Sequence, residues 1–343
     1  MTNMWGIHND AFGSELVEQG FISIGWEEMP DLRTIGDDRE RMKASLERTY
    51  PSAKAGAIPV WAGILLRFAY TMQVGDIVVA PYRPDGTINF GVVEGPYEYH
   101  QHVKRHPHRR RVRWTRTGVS RGLFPQTVLY EIGSALTLFQ VRKGVETFER
   151  FLDSESDEPF DPAPTPITNQ SERATVWAEE EPNATRIEQY SRDFILRTLL
   201  TDLSHEEFEH FTADLLRTLG YQARVTPYAS DGGIDVIAHR DPLGLEPPII
   251  KVQCKHTTGT QSRPDVQRLI GTLSSSELGL FVTLGTYSRD ALELERERQN
   301  LRLFSGADIT TLTLDNYSSL PGRWRARLPL RQVLVVDREP EVD

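Results

Sequence analysis

Cysteine is almost missing from this 343-residue chain. Cys254 stands alone, so no intramolecular disulfide and no cysteine-based zinc cluster can form. Its place in an apolar run makes it a small buried hydrophobe rather than a nucleophile. Long apolar runs are missing too, and the N-terminus lacks the basic-then-apolar pattern of a signal peptide. A soluble, cytoplasmic protein with no membrane partner is expected. Two shorter absences divide the chain. Between His100 and Arg121 there is no acid, although Lys104, Arg105, Arg109, Arg110, Arg111, Arg113, Arg116 and Arg121 lie there. From 151 to 185 apolar periodicity disappears, while Pro159, Pro162, Pro164, Pro166 and Pro182 join nine acids between Asp153 and Glu181. The net charge of −10 is therefore concentrated partly in a self-repelling tether, and says little against a nucleic-acid partner. Trp177 is the one tryptophan of that tether, available to dock on a neighbouring domain.

The length allows a domain on each side. Before the linker, short alternating segments recur at Phe21–Trp26, Val74–Ala80, Ile88–Val93, Arg111–Trp114 and Leu136–Val141, with one helix at 37–50. Turn signals such as Pro84-Asp85-Gly86 separate them, and a mostly β domain, a small barrel over 1–150, is expected. After the linker, helices at 186–201 and 204–219 precede strands at 221–227, 233–239 and 249–255. Then follow a helix at 264–275, a strand at 278–284, a helix at 288–299 and a strand at 301–304. Strands with crossover helices predict a mixed sheet flanked by helices over 186–330. The tail, 331–343, has an edge-strand candidate at 332–336.

The chemistry concentrates at Asp231-Gly232-Gly233-Ile234-Asp235 and Ile250-Lys251-Val252-Gln253-Cys254-Lys255. Gln253 and Lys255 share one face of a strand, and Asp235 sits among Ile234, Val236 and Ile237. An acid, an amide and an amine between apolar strands need a ligand or a mutual network. A divalent cation with a phosphodiester beside it is one solution. A buried Asp–Lys pair with Gln253 hydrogen-bonded nearby is the other. In the preceding helix Phe208, Phe211, Leu215 and Leu219 form the buried stripe, and Ser204 with Glu207 forms a capping box. Glu209 falls at the border of the stripe beside Leu216, an auxiliary ligand or a solvated acid. Asp231 is open between a second ligand and turn chemistry.

Phe208-Glu209, Leu219-Gly220-Tyr221, Asp231-x-Gly233-x-Asp235 and Gln253-x-Lys255, in that order, resemble the Mrr-like branch of the PD-(D/E)XK nucleases. The resemblance covers about the last two-fifths of the chain. It implies an α/β restriction-endonuclease-like domain that cleaves DNA with Mg2+ or Mn2+. Asp235, Gln253 and Glu209 would serve as metal ligands and Lys255 as the group that orients water. Gln253 replaces the second acid of the commonest pattern, as that branch does.

In the first domain, Met4-Trp5-Gly6-Ile7, Ile24-Gly25-Trp26, Gly75-Asp76-Ile77-Val78-Val79, Gly91 through Tyr97 and His108 through Trp114 resemble the PUA-like superfamily that includes EVE domains. That implies a reader of DNA, with a modified base in an aromatic pocket. Trp5, Trp26, Tyr97 and Trp114 either line it or belong to the core. Lys104, Arg105, Arg109, Arg111 and Arg113 either track phosphates or balance the acidic linker. Together these imply a defence restriction enzyme acting on double-stranded DNA, with a homodimer to cut both strands. The alternatives are a nuclease whose first domain senses a nucleotide signal or partner protein, and an inactive DNA-binding module.

Overall fold

In the computed structural model the described residues are 3–9, 12–54, 56–82, 84–134, 136–154, 184–226, 233–244 and 246–335. Most of the linker, with Trp177, lies outside them, as do Asp231 and Gly232. Two compact units form: Met1–Val119 with Tyr130–Ser154, and Ser120–Leu129 with Glu155–Asp343.

The first unit contains β1 (Met4–Ile7), α1 (Glu15–Gln19), β2 (Phe21–Ile24), α2 (Arg39–Thr49) and α3 (Ala57–Leu66), which runs into a π turn, Arg67–Thr71. Then come β3 (Ile77–Tyr82), β4 (Thr87–Tyr99), β5 (His108–Ser120), α4 (Gln126–Ile132), β6 (Leu138–Gln140) and α5 (Val145–Asp153). The division between units falls within α4. The six strands order as β2-β5-β4-β3-β1-β6 in a curled half-barrel. The expected mostly β domain is present, and its small barrel is a half-barrel: among the described residues β2 and β6 stand at the two ends of the sheet. The β3–β4 hairpin turns at Gly86, whose φ of 67° suits glycine, while the Asp85 carboxylate accepts from Thr87 N at 3.0 Å. Phe151, placed in the linker by sequence, is instead a buried residue of α5.

Strand β5 shows why the basic stretch does not behave as a loop. Its pleat turns Arg109, Arg111 and Arg113 to one face and His108, Arg110 and Val112 to the other. Arg110 is buried, and its guanidinium donates to Phe68 O, Ala69 O and Gly95 O, so three carbonyls replace water. Burial lowers its pKa to about 10. His108 is sealed as well. Leu32 N–H donates to Tyr97 Oη at 3.2 Å, Tyr97 donates to His108 Nδ1 at 2.7 Å, and His108 Nε2 donates to Trp26 O at 3.1 Å.

Burial lowers the His108 pKa from 6.5 to about 4, against the opposing pull of Asp31 and Glu27 and with a small contribution from His106. The folded state therefore takes up the proton less readily than the unfolded chain. This contribution to stability is complete above pH 6.5 and is lost as pH falls toward about 4. The loss is roughly 3 kcal/mol across that window. Calorimetric melting at pH 7 and pH 4.5 should show a smaller acid destabilisation in His108→Gln than in the parent. Equal shifts would rule His108 out as its source.

The second unit contains α6 (Ala184–Thr201), α7 (His205–Thr218), β7 (Gln222–Val225), β8 (Val236–His239), β9 (Ile249–Lys255), α8 (Arg263–Ile270), β10 (Glu277–Thr283), α9 (Arg289–Glu297), β11 (Leu301–Phe304), α10 (Gly306–Asp315) and α11 (Gly322–Arg327). Its sheet runs β11-β10-β9-β8-β7. Strands β9, β10 and β11 are parallel, while β7 and β8 are antiparallel to their neighbours. This is the expected mixed sheet with helices. Helix α7 starts where the capping box puts it, with Ser204 Oγ accepting from Glu207 N at 3.2 Å. It is closed by Gly220 at φ 88°.

Helices α10 and α11 answer to no sequence expectation. Trp324 anchors α11 by donating from Nε1 to the Asp214 carboxylate at 2.7 Å, while Arg323 and Arg217 pair with the same acid. Residues 332–335 form no strand, so the expected edge strand is corrected for its described part.

Candidate active site

Three strands lay the site out. Ala223 and Val225 of β7, Val236 and Ala238 of β8, and Ile250, Val252 and Cys254 of β9 pack into one core with α6 and α7. By alternation, Arg224, Asp235, Ile237, Lys251, Gln253 and Lys255 belong to the other face. Further along the sheet α8 and α9 cover that face, burying Val266, Leu269, Phe281, Ala291, Leu294 and Leu301.

Asp235 sits one residue before β8. Its N–H donates to Val252 O at 2.9 Å, and its Oδ2 accepts from Cys254 N at 2.6 Å. Cys254 lies between Gln253 and Lys255, so this bond brings the carboxylate beside both. Gln253 is 7 % exposed, and its Oε1 is buried with no hydrogen-bond partner among the described residues. Such an oxygen is costly unless a ligand takes it. On the other side of the amide, a Cβ on Gly233 would come 3.2 Å from Gln253 Nε2, and the Gly233 φ is 91°. Glycine there leaves the amide its room.

Helix α7 supplies Glu209, 8 % exposed. Burial and the nearby Asp235 charge raise its pKa above the ordinary carboxylate value. Burial also raises Asp235, against the Cys254 N–H bond and the positive charges of His205 and Lys255. Burial thus disfavours the charged form of both carboxyls, a shift that a bound cation would oppose. The Lys255 side chain makes no hydrogen bond or ion pair among the described residues. Cys254 is fully buried, and burial pushes its thiol well up, in keeping with an inert role.

The candidates of the first unit are placed differently. Trp5 is 2 % exposed with Nε1 donating to Asp76 Oδ2 at 2.8 Å, and Tyr97 is buried with its hydroxyl committed to Leu32 and His108. Both belong to the core, the alternative the sequence left open for them, so neither lines a base pocket. Trp114 donates to Leu16 O and packs against Phe12, Leu16 and Phe21. Trp26 is half-buried, edge-on to Trp61 at 6.0 Å, with a left-handed φ of 62°. Arg111 and Arg113 are exposed and paired with Glu98 and Glu94, while Arg109 lies over Phe21 at 4.2 Å and Arg105 over Phe12 at 5.5 Å. Lys104 is exposed.

Residues 200–313, from the end of α6 through most of α10, match the Mrr catalytic family model, described as Restriction endonuclease. The C-terminal unit carries a restriction endonuclease domain. Residues 4–128 match a domain of unknown function (DUF8426). No curated protein matches the chain. Among solved structures, the DNA modification-dependent restriction endonuclease AspBHI is 18 % identical with a TM-score of 0.33, covering 78 % of this chain and 70 % of its own. The MspJI restriction endonuclease in complex with a 27-mer oligonucleotide is 16 % identical with a TM-score of 0.31, covering 78 % and 67 %. A protein of unknown function, AF1548, is 16 % identical with a TM-score of 0.29, covering 33 % and 67 %.

A restriction endonuclease domain hydrolyses DNA and implies a divalent metal. The residues present fit one. Among the described residues no group of three or more His, Cys, Asp and Glu side chains gathers as a metal centre. The available donors are two carboxylates and one buried amide oxygen, an all-oxygen set that suits a hard cation.

One residue of the nuclease domain escaped the sequence reading, and a second was named there without its role. His205 Nε2 stands 3.2 Å from Glu209 Oε1, and its i,i+4 spacing was the available signal. Gly233 was named as part of the motif, but its closeness to Gln253 joins segments 20 residues apart and is visible only in the fold.

Proposed function

We propose that the protein is a metal-dependent endodeoxyribonuclease using Mg2+ or Mn2+, in which residues 186–330 hydrolyse the phosphodiester and residues 1–150 read the DNA. The buried Gln253 Oε1 beside the Asp235 carboxylate, unpartnered among the described residues, carries this reading. Asp235, Gln253 and Glu209 would hold the ion, which supplies Lewis-acid polarisation of the scissile phosphate. The Cys254 N–H fixes the Asp235 carboxylate, and Gly233 leaves space for the Gln253 amide. The free ammonium of Lys255 orients the attacking water and offsets the charge gathering on the phosphoryl oxygens. A single site per chain cuts one strand, so double-strand cleavage calls for a homodimer. Defence against foreign DNA is the role such an enzyme fits.

A base-reading role for the first unit is supported by Trp26. Its backbone occupies a conformation unusual for a bulky residue, and the Leu32–Tyr97–His108 relay ends on its carbonyl. The ring stays half-exposed against Trp61, available for stacking. The outward row of Arg109, Arg111 and Arg113 offers contacts to phosphates.

The test is cleavage by the purified protein with Mg2+ of matched duplexes, unmodified, cytosine-methylated or hydroxymethylated, beside Trp26→Ala. The expected result is cutting confined to a modified duplex and lost in Trp26→Ala. Equal cutting of all duplexes by both proteins would remove the base-reading role and leave the nuclease. Absence of cutting with binding retained would favour an activating signal, or a binding module without activity.

A further inference from the structure

Strand β7 is the outer edge of the nuclease sheet, and its Gln222 and Arg224 are exposed. The register pairs Arg224 with Ile237 and Val225 with Val236, and Thr226 N–H continues the ladder by donating to Asp235 O at 2.9 Å. Ala223 and Val225 point into the core with α6 and α7, so Arg224 rises from the opposite face, with Ile237 and Asp235. Asp235 is the diagonal neighbour of Arg224 across the strand pair, about 7–8 Å away by ordinary sheet geometry. An arginine side chain spans that gap. Among the described residues Arg224 makes no hydrogen bond or ion pair. Arg217, Arg323 and Arg327 of the same unit are each paired with an acid.

We propose that Arg224 is a substrate-positioning residue that grips a DNA backbone phosphate next to the one being cleaved. The inference rests on the nuclease reading of Asp235, Gln253 and Lys255. Three observations converge: an exposed arginine on an edge strand, a guanidinium unpaired among the described residues, and the candidate metal ligand one diagonal step away. A guanidinium offers two parallel donors to a phosphate, a geometry that an ammonium cannot copy. The competing explanation is edge protection, since charged side chains on an edge strand discourage pairing between molecules. That role needs charge but no particular geometry, and it has no consequence for DNA binding.

The experiment measures binding of a fluorescent 30-base-pair duplex to the full chain across a salt series with Mg2+ present. Lys255→Ala serves as the non-cleaving background, with Arg224→Ala or Arg224→Lys added, and each variant's melting is recorded. Arg224→Ala should bind about tenfold more weakly. The slope of log K against log salt should flatten by about 0.9, one phosphate contact. Arg224→Lys should keep the slope while recovering only part of the affinity. In the cleaving chain, Arg224→Ala should raise KM more than it lowers kcat. Unchanged affinity and slope in Arg224→Ala, with Lys255→Ala inactive, would overturn the Arg224 assignment alone. Undiminished cleavage by Lys255→Ala would overturn the site and this inference with it. Aggregation as the sole defect of Arg224→Ala would assign the residue to edge protection.

Discussion

Asp235→Ala and Lys255→Ala should each abolish detectable DNA cleavage while leaving DNA binding nearly intact. The expected fall in kcat for Lys255→Ala is roughly 10²- to 10⁴-fold, the usual contribution of a group that handles protons or charge in the transition state. The two losses have different causes. Asp235→Ala removes a carboxylate anchored by the Cys254 N–H and leaves Gln253 Oε1 without its neighbouring anion, so metal affinity falls. Mn2+ titration by calorimetry should therefore weaken in Asp235→Ala and change little in Lys255→Ala, whose ammonium is no ligand. Burial already disfavours a charged Asp235, so replacing it with alanine should not unfold the domain. Full activity in both variants, with normal Mn2+ binding, would place the chemistry elsewhere.

Asp193→Ala is expected to cost the second unit about 3–5 kcal/mol, the usual penalty for stranding one member of a buried ion pair. Arg121 Nε and Nη2 donate to the two Asp193 oxygens at 2.6 and 2.7 Å, and the side chains are 5 % and 4 % exposed. Gln189 Nε2 adds a third bond at 2.9 Å. Beside this pair the chain packs closely on α6, since a Cβ on Gly122 would meet Leu196 at 3.3 Å and Leu200 at 3.4 Å. Removing the carboxylate leaves the guanidinium buried and unpaired. Urea unfolding followed by circular dichroism should show the loss, and Arg121→Met with Asp193→Leu should recover much of it. A change below 1 kcal/mol in Asp193→Ala would mean that water reaches the pair.

Elements with a strong local signal were legible in the sequence. Strand β9 covers 249–255 and β11 covers 301–304, as the apolar runs and flanking turns require. Helix α7 begins at its capping box, because Ser204 and Glu207 satisfy each other's backbone groups regardless of what packs around them. Helix α3 was missed. Its sequence, AIPVWAGILL, is apolar nearly all round and carries an internal proline, so no amphipathic period marks it. Helix α11 was missed because its stability comes from Trp324 meeting Asp214, a residue 110 positions away. The aromatics of the first unit show the same limit. Trp5 and Trp26 look alike in sequence, yet one closes on Asp76 in the core and the other stays half-exposed.

By itself the sequence singled out the side chains proposed here for the chemistry. Asp235, Gln253 and Lys255 sit in apolar strands where an unsatisfied polar group would be too costly to keep without a use, and strand alternation puts Gln253 and Lys255 on one face. Only the tertiary structure decided which atoms meet. The β8–β9 pairing carries the Asp235 carboxylate to the Cys254 N–H, and the packing of α7 lifts Glu209 into its field. The same pairing leaves Gln253 Oε1 without a partner among the described residues. Register and helix packing are set by contacts between residues distant along the chain, and those contacts exist only once the core has closed.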